Sequence, residues 1–470
     1  MKIELLGQTN KEEVANQIRI VAAGGKLSRF PGTVTEVYNS CDDFDSNIKF
    51  IKRVIGMGHK SIIEHDYLVF SLEDVTPIVE QTIIESRLTS FTIKSRREVD
   101  FRTAGFTTPE FRTTEGTTHK DNKKLQKKYK EHMQMLFNTY GEFVDQGVNK
   151  EDARYVLPYS FHSNIIMGLD ARELEKLTIS LLHGKLSKIA ELKELGEHFK
   201  NIIDSRAPYL SELIDKNIAS SDDKYKDFNE YFAEYKTSNI EKLQSVSLIS
   251  YTTNADEKVI ISFLQTRYQI NNKEAKKLYN KLSKDVIEKL IKTIIGNNEN
   301  RELEHAHFSF EIPISLAVLT HITRHRMHSL MVPDFVPMWN LSNYIIPNSL
   351  KTLNENKFNE VFSKNKEVYE EFIKANVLEE DLIYFYQAGN TVNITTTMNG
   401  RFLAHFASLR CCNKAQWEIR DIADEIVNSV IEVAPLIGNN IGPSCLTSKT
   451  CNEKKESCGR PRKNLKKDEK

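Results

Sequence analysis

Apolar positions alternate with period two at Phe308, Phe310, Ile312 and Ile314, with Ser309 and Glu311 between them, which predicts a half-buried strand. A second strand is predicted at Tyr67-Leu-Val-Phe-Ser-Leu, which follows Glu64-His65 as His307-Phe-Ser-Phe-Glu-Ile follows Glu304-His305. Each leads into a helix. Thr76-Pro77 supplies an N-cap and a first-turn proline, and Pro313-Ile-Ser315 marks the start of the other. A helical period runs through Leu125, Tyr129, Met133, Leu136 and Tyr140, and another through Leu278, Leu282, Val286, Leu290 and Ile294 up to Gly296. Helices and strands mix without regular βαβ alternation, so the expected class is α+β.

The pattern occurs twice. Tyr140-Gly-Glu-Phe-Val…Glu151-Asp152-Ala-Arg154-Tyr155…Ala171-Arg172-Glu-Leu174 aligns without a gap on Tyr369-Glu-Glu-Phe-Ile…Glu380-Asp381-Leu-Ile383-Tyr384…Gly400-Arg401-Phe-Leu403, at an offset of 229. The Glu-His strands align at an offset of 240. Two matches in the same order argue for a tandem duplication. The expected organisation is a first copy over 1–215, a linker over 216–240, a second copy over 241–445 and a disordered tail over 446–470. The linker is polar and poor in aliphatic residues, and the tail is rich in lysine.

Composition narrows the classes. The 470 residues carry 65 Lys+Arg against 65 Asp+Glu, so no global basic field points to nucleic acid, and any anion site must be a local cluster. No apolar run is long enough to cross a bilayer and the first residues lack the apolar core of a secretory signal, so the expectation is a cytoplasmic protein. Six cysteines are too few and too scattered for a disulfide framework. Cys445, Cys451 and Cys458 lack the spacing of zinc ligands and are expected as exposed, reduced thiols, with no metal.

Cations concentrate in four places. Arg324-His325-Arg326 stands at the C-terminal end of the helix after the Phe308 strand, where positive charge also complements the helix dipole. Arg401, His405 and Leu409 recur at i+4 beside Phe402 and Phe406, which reads as a pocket wall with Phe402, Phe406 and Leu409 in the core. The first copy has Ser95-Arg96-Arg97, a run that alone suits a solvated loop. It also has Arg154 beside Val156-Leu157-Pro158, where a guanidinium near aliphatic residues needs an anionic or hydrogen-bonding partner.

Taken together these strings resemble the flavin-dependent thymidylate synthases. The likeness rests on Arg324-His325-Arg326, the Glu-His strands, Ala153-Arg154-Tyr-Val-Leu-Pro158, Asn399-Gly-Arg401…His405-Phe406…Leu409-Arg410 and Ala415-Gln-Trp-Glu-Ile419. It implies the fold of that family twice over. Each copy lacks what the other keeps: the first has Glu85, Ser86 and Leu181 at the Arg, His and final Arg positions, the second Asp334, Val336 and Ile383 at the loop and Ala-Arg positions.

The resemblance further implies one composite site. Ser95, Arg96, Arg97 and Arg154 from the first copy, with His321, Arg324 and Arg410 from the second, would bind dUMP, Arg410 and Arg324 acting in catalysis. FAD would be held by Arg324, His325, Arg326, Asn399, Arg401 and His405. The implied reaction methylates dUMP reductively, with methylenetetrahydrofolate and NADPH as co-substrates and no membrane or nucleic-acid partner. Two chains would reproduce the family's four-copy assembly as a homodimer. Departures at His321, Ile93 and Lys414 leave open a related deoxynucleotide as substrate, or a degenerate regulatory protein that only binds nucleotide or flavin.

Overall fold

The computed structural model describes residues 1–216, 243–297, 299–338 and 341–465. Apart from Lys216, the expected linker lies outside them. The first repeat forms an antiparallel sheet of β1 (Lys2–Gln8), β2 (Tyr67–Val75), β3 (Ser90–Ile93) and β4 (Ser163–Asp170) in the order β1-β2-β4-β3. The second repeats this order with β5 (Ser247–Tyr251), β6 (His307–Ser315), β7 (Ser329–Met331) and β8 (Thr391–Asn399), as β5-β6-β8-β7. The class is α+β, and Phe308, Phe310, Ile312 and Ile314 all face the core.

Repeat and compact unit do not coincide. One unit gathers the described residues of Met1–Ile240 with Phe335–Pro337 and Ile346–Ala388; the other comprises those of Glu241–Asp334, Met338–Ile345 and Gly389–Lys470. The second repeat's long helix, Asn348–Lys374, therefore belongs with the first repeat's helix Asn122–Asp145. Within that unit His132 hydrogen-bonds Asn365 at 2.8 Å, Phe111 meets Phe372 with ring centroids 5.0 Å apart, and Tyr129 meets Phe385 at 5.3 Å. Arg112 clamps the buried Asp381 carboxylate at 2.6 Å.

Three expectations need correction. The helix predicted through Leu278 and Ile294 is two helices, Asn272–Tyr279 and Lys284–Ile295: the first ends at its C-cap Asn280, and Ser283 caps the second by accepting from the Val286 N–H; Val286 itself is exposed. The helix start marked by Pro313-Ile-Ser315 is found, with Ser315 as N-cap of helix Leu316–Thr323; Pro313 itself lies within β6, beyond Glu311, the last residue paired with β5, so that neighbour does not need its missing N–H. Leu409 is exposed, not core. The tail is docked as far as Leu465: Arg462 pairs with Asp424 at 2.7 Å and donates to the Cys411 carbonyl, Leu465 is buried, and Lys414 and Asn413 donate to carbonyls of Glu456 and Arg460. Lysine content hid these few anchoring contacts. No helix among the described residues is long and apolar enough to cross a membrane.

Candidate functional site

In the first unit the Ser95 loop leaves β3 and returns a guanidinium to the interior. Arg96 is buried, pairs with Glu80 at 2.9 Å and lies over the Phe161 ring at 5.2 Å. It is held by the protein itself rather than presented in a solvated loop. Arg97 is half-exposed; its Nε pairs with Glu151 and its N–H donates to Ser95 Oγ at 3.3 Å.

Arg154 follows the short helix Lys150–Ala153, capped by Asn149, which fixes its backbone. It is 2% exposed, and its Nε donates to the Glu151 carbonyl at 3.1 Å. Its Nη2 is buried with no hydrogen-bond partner among the described residues. Burial, then the neighbouring Arg96, pushes its pKa down to about 10. An unsatisfied buried guanidinium is costly alone, and an anion with forked oxygens would satisfy it. Ile383, at the corresponding position of the second repeat, is buried and apolar.

In the second unit helix Leu316–Thr323 ends at Arg324, its C-cap, so the next side chains diverge. Arg324 and Arg326 are exposed whereas His325 turns inward. There its ring meets Phe406 and Phe402 edge-on at 5.2 and 5.8 Å, and its Nε2 accepts from Arg410 Nε at 2.9 Å. Arg410 Nη2 donates to the His321 carbonyl at 3.1 Å, tying two helix ends together. Burial, and then Arg410, push the His325 pKa down to about 3, so the imidazole is neutral and can accept.

Asn399 and Arg401 have duties in the fold as well. Asn399 caps helix Gly400–Arg410 through the Phe402 N–H, and Arg401 pairs with Glu304 at 2.7 Å. The first repeat does the same with Asp170, which caps helix Ala171–His183, and with Arg172 and Glu64. Gly400 is required between them: a Cβ there would lie 2.8 Å from the Leu303 carbonyl.

Asn399, Arg401, Phe402 and His405 also line a cavity of about 870 Å³ within this unit, completed by Arg301, Met327 and the segment Asn440–Gly442. Its size and its mix of guanidinium, amide and apolar groups fit a dinucleotide-sized cofactor. The sequence reading missed Glu80 and Glu151, the partners of Arg96 and Arg97, and His328, which stacks on Phe402 at 4.8 Å and bonds Thr396. An isolated glutamate has no local pattern, but His328, two residues beyond Arg326, was within reach of the motif. No metal-ligand cluster occurs among the described residues, and all six cysteines are free thiols; Cys451 is exposed, Cys445 and Cys458 half-buried.

Two like-ordered sheets, each followed by a helix whose second residue, Arg172 or Arg401, pairs with an upstream glutamate, define a duplicated α+β protein. The family described as "Thymidylate synthase complementing protein" matches it twice, over residues 4–209 and 247–436, and the chain belongs to that family. It is 32% identical over 210 residues to a flavin-dependent thymidylate synthase of Saccharolobus solfataricus, covering 43% of this chain and 78% of the relative. It is 30% identical over 238 residues to one of Clostridium tetani, covering 46% and 93%. Each relative thus spans less than half of this chain, as a duplication requires. A solved UMP/dUMP methylase PolB from Streptomyces cacaoi, bound with 5-Br dUMP, aligns at 19% identity and a TM-score of 0.37, over 45% of this chain and 93% of that one.

Proposed function

We propose that the chain is a flavin-dependent thymidylate synthase in which both repeats serve one reaction. The methylene carbon of methylenetetrahydrofolate bonds to uracil C5 of dUMP, the C5 proton leaves, tetrahydrofolate departs, and two electrons from NADPH reduce the transferred carbon to methyl. Bound FAD supplies the hydride relay between NADPH and that carbon. The observation that carries the reading is the complementary division of cations, Arg97 and Arg154 in the first repeat against Arg324, His325, Arg326 and Arg410 in the second, within a family matched across both.

In this reading Arg154 Nη2 and Arg97, with Ser95, take the phosphate dianion, and Arg96 positions their loop through Glu80. Arg410, oriented by neutral His325, favours the ionised uracil, and His321 and Arg324 flank the nucleotide. One such fixed cation in a partly dry site is worth about 2 to 4 kcal/mol. Arg324, Arg326, Asn399, Arg401 and His405 hold the flavin, with His325 backing them.

The test is FAD titration followed by product analysis with dUMP and a labelled folate donor. Arg97→Ala and Arg410→Ala should each lower turnover by about 100-fold or more. Mixing the two variants shows whether chains complement each other in a homodimer. Labelled dTMP absent from flavin-loaded wild type, or full turnover in either variant, would exclude the reading.

A further inference from the structure

The cavity of the second unit has a counterpart position in the first, and the equivalence is fixed by structure. Helices Ala171–His183 and Gly400–Arg410 each start after a capping residue, Asp170 or Asn399. The second residue of each helix pairs with the glutamate of the preceding short turn, as Arg172–Glu64 and Arg401–Glu304. Upstream, Ile51-Lys52…Ile55-Gly56 matches Ile291-Lys292…Ile295-Gly296 at the same offset of 240 that relates the two glutamates. At the helices' own offset of 229 Ala404 corresponds to Glu175, and at the upstream offset of 240 Asn300 corresponds to Lys60.

That pair of differences sits in the cavity wall. Ala404 and Asn300 both line the open space in the second unit. In the first unit Lys60 Nζ reaches Glu175 Oε1 at 2.7 Å, and the Glu175 side chain is 1% exposed. A long carboxylate and a long ammonium thus fill the place where the second repeat has a methyl group and a short amide.

We infer that the Lys60–Glu175 ion pair is a plug that closes the first repeat's cofactor pocket, that Ala404 and Asn300 keep the second open, and that each chain therefore binds one flavin. This rests on the flavin reading above. Duplication alone would leave two cofactor sites per chain. The pair removes one without disturbing the Arg172–Glu64 scaffold beneath it.

The experiment transplants the plug. Purified full-length wild type, Ala404→Glu and the double variant Ala404→Glu/Asn300→Lys are titrated with FAD, followed by flavin absorbance and calorimetry, and each is checked by thermal unfolding. Wild type should saturate at one equivalent per chain. The double variant rebuilds the ion pair, so it should unfold cooperatively near the wild-type temperature yet bind FAD at least about 100-fold more weakly, the scale of a steric mismatch in a shaped pocket. Two equivalents in wild type, or unweakened FAD binding by the folded double variant, would overturn the inference while leaving the flavin reading intact. A wild type that takes up no FAD would overturn both.

Discussion

At the scale of single residues, His325 shows how an Arg-His-Arg string acquires meaning only in three dimensions. The sequence marks the tripeptide, but nothing in it says that the imidazole turns inward while its neighbours stay exposed; the helix stop at Thr323 decides that. The charges of Arg410, His405, His328 and Arg324 all oppose its protonation, after burial itself. Its folded pKa, about 3, lies below the ordinary histidine value, so the stability it contributes is fully present above about pH 6.5 and is lost as pH falls toward 3. Between pH 8 and pH 5 the loss amounts to about 2 kcal/mol for this one group. Denaturant titrations of wild type and His325→Phe should therefore converge by that amount on acidification, and parallel curves would mean that the ring is not buried neutral. Arg154 was legible from its aliphatic neighbours, whereas its unsatisfied Nη2 was not, because orphaned atoms are a property of packing.

At the scale of elements, each sheet hands its chain to a helix whose first turn is held by a distant carboxylate. Glu418 accepts from both the Ser315 N–H and hydroxyl at 2.7 Å, and Glu191 accepts from the Thr76 N–H at 3.0 Å and hydroxyl at 2.6 Å, with Tyr384 donating at 3.1 Å. The Thr76-Pro77 start was readable locally. Its carboxylate partner was not, being 115 residues away in one repeat and 103 in the other. Glu418 belongs to the Gln416-Trp417-Glu418 string, so a family signature here performs a structural duty: it fixes the helix that ends in Arg324 and His325. Glu418→Ala strands a buried N–H and removes charge from the positive helix end, which should cost about 2 to 4 kcal/mol. Glu418→Gln should cost only about 1 kcal/mol, since the Ser315 hydroxyl can turn to accept from the new amide. Chemical denaturation separates the two; equal losses would show that charge, not hydrogen bonding, holds the helix.

At the scale of the whole chain, self-similarity revealed the two repeats, but not that the first unit borrows a limb of the second repeat. Amphipathic stripes on Asn122–Asp145 and Asn348–Lys374 announce that each helix needs a partner, yet periodicity carries no information about which one. The first unit resolves it by taking Ile346–Ala388 from the second repeat. Residues 1–215 alone would then expose the faces of Phe111 and Tyr129 now covered by Phe372 and Phe385, strand His132 without Asn365, and leave Glu191 without its Tyr384 donor. Losing two aromatic contacts of this kind and a buried hydrogen bond amounts to several kcal/mol, about the whole margin of an ordinary domain. The isolated first repeat should accordingly show no cooperative thermal transition by circular dichroism. A full-length chain cut by protease within residues 217–242 should keep its transition and elute as one species, because the borrowed helix holds the two pieces together. A first repeat that melted cooperatively by itself, at the temperature of the intact chain, would show that the borrowed limb is an ornament of the fold rather than part of its core.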